Sequence, residues 1–169
     1  MTTNNETVKV HVFEAAGLGK APFRFVGMEH KVGPVNLGGG LTCGAPGQPM
    51  GTCDFCGNGI AFCYYIRSSD GREFIVGSEC VRKTGDAGLK RKVAKLETQR
   101  RNEAADARIE RARETLEDKG VQAKLAGKPH PNPHRAGKGD SLLDYVEWLI
   151  VHGGRTGQTK AARYIEGAR

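Results

Sequence analysis

The chain has 169 residues, 38% of them hydrophobic, and a formal net charge of +7. This size allows one modest hydrophobic core with extensions, and the 24 glycines predict that much of the chain forms loops. The first ten residues contain no apolar signal core, and the apolar stretch Tyr145–Val151 is interrupted by Glu147. We therefore expect a soluble, cytoplasmic protein, in the host cytoplasm if it is viral, with no membrane partner.

The N-terminal region has the pattern of β-strands. Valines alternate with polar residues at Val8, Val10 and Val12, which is the period of a half-buried strand. Phe23 and Phe25 indicate a second strand. We expect residues 7–36 to form a small β-sheet.

The most informative stretch runs from Cys53 to Cys80 and reads CDFCGNGIAFCYYIRSSDGREFIVGSEC. Cys53 and Cys56 are followed at once by Gly57, an arrangement that can form a tight turn whose amides point at the thiolates. A third cysteine, Cys80, follows a hairpin-like segment. Five cysteines are an odd number, and cytosolic cysteines stay reduced, so this spacing favours a metal site over disulfides.

The segment between the cysteines predicts a hairpin that leads into a short helix. Ile60–Ile66 and Glu73–Val76 are rich in β-branched and aromatic residues, and residues 68–71 (SSDG) between them supply turn chemistry. Ser78 is suited to cap a helix N-terminus, which places Cys80 in the first helical turn. Helix-end amides favour the thiolate form of a cysteine there.

A cysteine knuckle, a hairpin and a cysteine at a helix start, in this order, resemble the treble-clef group of zinc fingers. The stretch is also similar to small, mostly uncharacterised phage and mobile-element proteins that carry CxxCG, a DG turn, and VGxxC followed by a glycine. The matching residues are Cys53, Cys56, Gly57, Asp70, Gly71, Val76, Gly77, Cys80 and Gly85. The resemblance covers about a fifth of the chain and implies metal binding, with zinc as the cofactor. A treble clef would place a second ligand near Cys80, where this chain has Lys83.

Two other cysteines compete for the place of the fourth ligand. Cys43 precedes a loop rich in glycine and proline that can double back beside the knuckle. Cys63 lies within a predicted strand, roughly 20 Å beyond Cys56 if the strand runs straight at ~3.3 Å per residue. That is too far for the two sulfurs to share one ion unless a bulge intervenes. We predict Cys43 as the fourth ligand. Cys63 is otherwise expected to be a small buried residue on the inner face of the hairpin.

After Gly85 the composition predicts a helix of about thirty residues. No proline or interior glycine occurs from Leu89 to Lys119, and helix formers dominate. Apolar residues form two stripes, one with Leu89, Val93 and Leu96 and the other with Ala105, Ile109, Ala112 and Leu116. The step of nine residues from Leu96 to Ala105 places the two stripes on different sides of the helix. The helix therefore either packs first on one side and then on another, or breaks near Asn102.

Positive charge is concentrated in this helix and just before it. From Arg82 to Arg113 there are eleven Lys or Arg and five Asp or Glu, a local balance of +6. Such a field attracts the phosphates of DNA or RNA. The residues predicted to contact nucleic acid lie beside the finger: Arg82, Lys83, Lys90, Arg91 and Lys92. The alternative is a solvated helix whose Lys/Arg and Glu side chains support one another.

The C-terminal third divides into a predicted linker and a helical hairpin. Three prolines stiffen the segment 121–140, and extended geometry there would separate His130 from His134, so we do not expect these histidines to be ligands. Ser141 and Asp144 resemble a capping box before a strongly apolar helix that ends at Gly153. A second helix is expected from Thr156 to Ile165.

The sequence therefore predicts an α+β fold in which a small β-sheet with a zinc-bound hairpin precedes a long basic helix and a C-terminal αα-hairpin. The expected domains are a β-rich zinc-finger domain at 1–85, the long basic helix at 86–120, a linker rich in proline and glycine at 121–140 and the helical hairpin at 141–169. No catalytic arrangement is recognisable, so we do not expect an enzyme. The predicted function is a phage-like accessory protein that binds nucleic acid, and the alternative is an interaction module for a host or viral protein.

Overall fold

The structure is a computed structural model that describes residues 10–169, and its fold is α+β with small antiparallel sheets. The chain divides into two units, Met1–Glu97 and Thr98–Arg169. The elements up to the unit boundary are α1 (Val12–Ala15), β1 (Arg24–His30), β2 (Val35–Gly38), β3 (Leu41–Cys43), β4 (Gly51–Thr52), β5 (Gly59–Ile60), β6 (Phe62–Arg67), β7 (Glu73–Val76) and α2 (Ser78–Lys83). The boundary falls within α3 (Ala87–Leu116), which is followed by α4 (Lys119–Ala126), α5 (Pro133–Ala136), α6 (Leu142–His152) and α7 (Gly154–Glu166).

The first unit is built on a three-stranded antiparallel sheet in the order β1, β6, β7. Strands β6 and β7 form the predicted hairpin, in register from Tyr64 opposite Val76 to Arg67 opposite Glu73. The strand predicted around Phe25 is also confirmed as β1, which pairs with β6. Buried side chains of this sheet, including Ile66 and Phe74, join the core of the first unit.

The valine pattern near the N-terminus is not a strand in the described residues. Val8 lies outside them, Val10 has no regular structure, and Val12 begins helix α1. The imidazole of His11 caps this turn by accepting a hydrogen bond from the Phe13 amide. The turn inserts Phe13, which is fully buried, into an aromatic cluster of the core. Burial of one large ring therefore outweighs the local strand pattern.

Helix α3 is continuous from Ala87 to Leu116, so the alternative of a break near Asn102 is wrong. It begins at a side-chain cap, because an Asp86 carboxylate oxygen accepts hydrogen bonds from the amides of Gly88 and Leu89. Leu89 and Val93, from the first stripe, are buried in the core of the first unit. From the second stripe, Ala112 and Leu116 pack in the core of the second unit. The two stripes thus serve separate cores.

The second unit confirms the predicted helical hairpin in α6 and α7. Ser141 and Asp144 form the capping box, with the Asp144 amide donating to Ser141 Oγ and the Ser141 amide donating to Asp144 Oδ2. Helix α7 begins at Gly154, two residues earlier than predicted. No helix among residues 10–169 is both long enough and apolar enough to cross a membrane.

The segment 121–140 is folded, so the prediction of a linker is wrong. Asp118 caps α4 by accepting hydrogen bonds from the amides of Gly120 and Val121. Val121 and Leu125, four residues apart, bury their side chains in the core of the second unit. Pro133 does not extend the chain, because it occupies the first turn of α5, which the Asn132 side chain caps. The missed signal was an Asp cap followed by apolar residues at helical spacing.

Leu125→Ala should lower the free energy of unfolding of the second unit by about 2–5 kcal/mol, because Leu125 is fully buried and alanine leaves a cavity. Urea unfolding followed by circular dichroism measures this change. The matched control is the exposed neighbour, Lys124→Ala, which removes a surface hydrogen bond to the Arg169 carbonyl and should have little effect. Equal unfolding midpoints for the two variants would contradict the burial of Leu125 in a folded segment 121–140.

Candidate metal centre

The CxxCG sequence forms the tight turn that its spacing predicts. The Gly57 amide donates to the Cys53 carbonyl at 2.8 Å, and the Cys53 amide donates to the Asn58 carbonyl at 2.9 Å. Gly57 has a φ of +75°, in the left-handed region that favours glycine. Strands β4 and β5 pair on either side of the turn. Local backbone bonds therefore fix the positions of Cys53 and Cys56.

The hairpin and α2 return Cys80 to this turn. Cys80 Sγ lies 3.7 Å from Cys53 Sγ and 3.4 Å from Cys56 Sγ, and all three sulfurs lie within 4.8 Å of one another. Tetrahedral coordination with metal–sulfur bonds of about 2.3 Å places sulfurs roughly 3.8 Å apart. The three cysteines thus lie close together as a possible metal site. Helix α2 is capped by Gly77 rather than Ser78, a shift of one residue that leaves Cys80 in the first turn.

A side chain that the sequence analysis did not identify ties the turn to strand β7. The Asp54 amide donates to the Ile75 carbonyl at 2.8 Å, and Asp54 Oδ2 accepts from the Ile75 amide at 2.6 Å. These two bonds join the first pair of cysteines to the strand that leads to Cys80. The only sequence signal is an Asp between the first two cysteines.

The pKa values of Cys56 and Cys80 are shifted in opposite directions. The pKa of Cys56 is lowered, first by a hydrogen bond from the Asn58 amide and then by the thiols of Cys80 and Cys53. The pKa of Cys80 is raised to about 12, first by burial and then by the sulfurs of Cys56 and Cys53. For Cys80, burial and the neighbouring sulfurs therefore oppose the stabilisation of the thiolate that was expected from the helix-end amides. A bound cation would offset both the burial and the repulsion between thiolates.

The apparent affinity for a divalent metal should rise with pH. Because the pKa of Cys80 is about 12, its thiol is protonated in neutral solution, and metal binding must displace that proton. Each displaced proton weakens the affinity by about tenfold for every pH unit of acidification. Competition with a chelator, measured across roughly pH 6 to 8, tests this dependence. An affinity that does not change over this range would contradict coordination by the Cys80 thiolate.

The two candidates for the fourth ligand lie outside this cluster. Cys43 is exposed at the end of β3, opposite Val35 in a two-stranded sheet. Cys63 is fully buried in β6. Its sulfur packs so closely against Gly51 that a Cβ atom at that position would lie only 2.2 Å from it. Among residues 10–169, the group that could hold a metal consists of Cys53, Cys56 and Cys80 alone. The structure thus brings together three of the four residues predicted as ligands, and Cys43 is not among them.

The five basic residues predicted to contact nucleic acid differ in their environments. Arg82 forms ion pairs with Glu79 at 2.7 Å and Glu97 at 3.7 Å, so its charge is largely compensated. The described part of the chain contains no ion pair for the other four, which are Lys83, Lys90, Arg91 and Lys92. Lys90 is half-buried, and the remaining three are exposed.

Comparison with protein-family models, with curated proteins and with solved structures gives no match to this chain. The resemblance to treble-clef fingers and to phage and mobile-element proteins therefore rests on the motif residues alone. Function has to be inferred from the chemistry of the site.

Proposed function

We propose that the chain binds one zinc ion through Cys53, Cys56 and Cys80, and that the basic residues without an ion pair that follow Cys80 in the chain bind the phosphates of DNA or RNA. The observation that carries the proposal is the convergence of three sulfurs from a turn and a helix more than twenty residues apart. The motif resemblance extends the proposal to an accessory protein of the phage type. That the chain is not an enzyme stays a prediction.

The donor set favours zinc. Thiolates are soft ligands that select Zn, Cu(I) or iron–sulfur clusters over Mg or Ca. Two sulfurs on a tight turn and one in the first turn of a helix suit a single tetrahedral ion. The first unit has small sheets and many loops, so metal binding would add folding free energy that its core supplies only in part.

The distribution of ion pairs supports binding of nucleic acid by the N-terminal part of α3. In the C-terminal part of α3, Arg113 pairs with Glu110 on the same helix, as expected of a helix that supports its own charges, and Arg108 pairs with Glu166 of α7. Residues 90–92, in contrast, form no ion pair in the described part of the chain, and the acidic residue at this end of the helix, Asp86, caps the amides of Gly88 and Leu89 instead. Uncompensated positive charge of this kind is available to phosphates.

Titration with a nonspecific duplex and with a single strand, each at two salt concentrations, tests this part of the proposal. Binding to phosphates predicts an affinity that is independent of sequence and falls steeply as salt rises, because counterions are released on binding. The absence of binding at low salt to either nucleic acid would contradict it.

A specific observation favours the alternative of a protein partner. On α6 in the second unit, Trp148 is 55% exposed and Val151 is 70% exposed, three residues apart on one side of the helix. Exposed Trp is a frequent anchor of protein interfaces. Under this alternative, the chain captures a host or viral protein, and replacing both residues with Ala abolishes that capture. Nucleic acid does not bind at low salt.

A further inference from the structure

A cavity of about 470 Å³ opens beside the three sulfurs in the first unit. Its lining combines apolar and polar side chains, among them Phe55, Asn58, Ile60, Phe62, Glu79 and Lys83. Cys53, Cys56 and Cys80 also line it, so a metal held by them would face this space. Concave, partly apolar spaces with a few polar groups are the usual form of small-molecule sites.

The residues that the structure describes do not supply a fourth donor to this position. Glu79 is the acidic residue of the lining, but Arg82 holds its carboxylate at 2.7 Å, and it does not belong to the sulfur cluster. Cys43 and Cys63 also lie outside that cluster. A zinc site with three protein ligands keeps its fourth position for an exchangeable ligand.

We propose that the cavity admits an external organic thiol whose sulfur completes the coordination of the metal. This inference rests on the proposed metal centre. A metal with three thiolate ligands prefers a further soft donor, and a thiol can supply one by releasing its proton to solvent as its sulfur binds.

The lining of the cavity also indicates which chemical groups the thiol ligand carries besides its sulfur. Phe55, Ile60 and Phe62 are half-buried and offer apolar contact to an aliphatic or aromatic body. Lys83 is without an ion pair in the described residues and can bind an acidic group. A divalent ion with four thiolates has two excess negative charges, and the ammonium of Lys83 offsets part of them. The ligand class is therefore a small thiol with an apolar body and an acidic group.

The test uses the full chain with cobalt(II) in place of zinc, because cobalt–thiolate absorption reports the number of bound sulfurs. The probe is 2-mercaptobenzoate. We expect a spectrum of three thiolates that rises by about a third on saturation with the probe, the ratio of four sulfurs to three, while cobalt stays bound. Lys83→Met should weaken the affinity for the probe roughly tenfold without changing the cobalt content of the protein. Thiophenol, which lacks the carboxylate, is the matched probe and should bind both proteins alike.

Three results would overturn the inference while leaving the metal centre in place. The first is a three-thiolate spectrum that the probe does not change. The second is removal of the cobalt by the probe. The third is a four-thiolate spectrum of the free chain that loses one sulfur in Cys43→Ser, because Cys43 would then be the fourth ligand. Failure of the chain to take up cobalt would overturn the metal centre as well.

Discussion

Replacing Cys53, Cys56 or Cys80 with Ser should abolish stoichiometric zinc binding and unfold the first unit. Each substitution removes one of the three sulfurs that converge in the structure. Structural zinc contributes about 10–16 kcal/mol of apparent binding free energy in zinc-finger peptides, and that energy is coupled to folding. Metal analysis and thermal unfolding should therefore show the loss of zinc and of cooperative folding together.

The size of this effect follows from how the first unit is built. Its three-stranded sheet is small, and the segment before it consists of short strands and glycine-rich turns. Cys53 and Cys80 are themselves buried in the core of this unit, in the same cluster as Val76 and Val81. Without a metal, the core would hold two buried sulfurs, Cys53 and Cys80, close to the exposed sulfur of Cys56, either protonated or repelling one another.

Two matched controls separate loss of a ligand from loss of any cysteine. Cys63→Ala changes an equally buried cysteine outside the cluster and should keep the zinc, with a destabilisation of about 1 kcal/mol. Cys43→Ser changes an exposed cysteine and should keep both zinc and fold if the three cysteines suffice. If Cys53→Ser retains zinc and folds like Cys63→Ala, the assignment of the ligands is wrong.

Reversing the charge of the basic triplet in Lys90→Glu, Arg91→Glu and Lys92→Glu together should weaken nucleic acid binding by roughly 10²–10³-fold at about 0.1 M salt. Loss of about three phosphate contacts lowers the slope of log affinity against log salt by nearly three for a duplex. The effect should be similar for all sequences, because phosphate contacts do not read bases. Binding measured over a series of salt concentrations gives both quantities.

The fold should survive this triple change. Leu89 and Val93, which flank the triplet, carry the packing of this part of α3. Glutamate also has nearly the same helix propensity as lysine and arginine. Zinc content and helicity should therefore stay at the level of the unmodified chain.

A matched control tests whether location matters or only total charge. Lys119, Lys128 and Lys138 are exposed residues of the second unit, and their reversal to Glu changes the net charge by the same amount. This control should retain most of the affinity and of the salt dependence. Equal losses in both triple variants would show a general charge effect, and unchanged affinity in the first would favour the protein-interaction alternative.

The parts of the fold that could be predicted are those in which one local signal dominates. The β6–β7 hairpin follows from two strand-forming runs around a polar turn, and the capping box of α6 follows from Ser141 and Asp144. The convergence of Cys53, Cys56 and Cys80 was predicted because the turn, the hairpin and the helix start each have their own sequence signature.

The remaining parts depend on contacts that sequence patterns do not contain. Val12 continues a strand pattern, yet burial of Phe13 among other rings makes a helical turn more favourable. The segment 121–140 contains three prolines, yet Leu125 is buried against residues more than fifteen positions away. For Cys80, the raised pKa arises from its burial and from sulfurs that are distant in sequence. Tertiary packing decides each of these features.

Zinc analysis of the purified chain combined with X-ray absorption at the zinc edge tests the metal centre most directly. We expect about one zinc per chain, with a shell of at least three sulfurs at about 2.3 Å. A fully folded chain that contains no zinc and takes none up, or a bound zinc surrounded by oxygen and nitrogen alone, would contradict the centre formed by Cys53, Cys56 and Cys80.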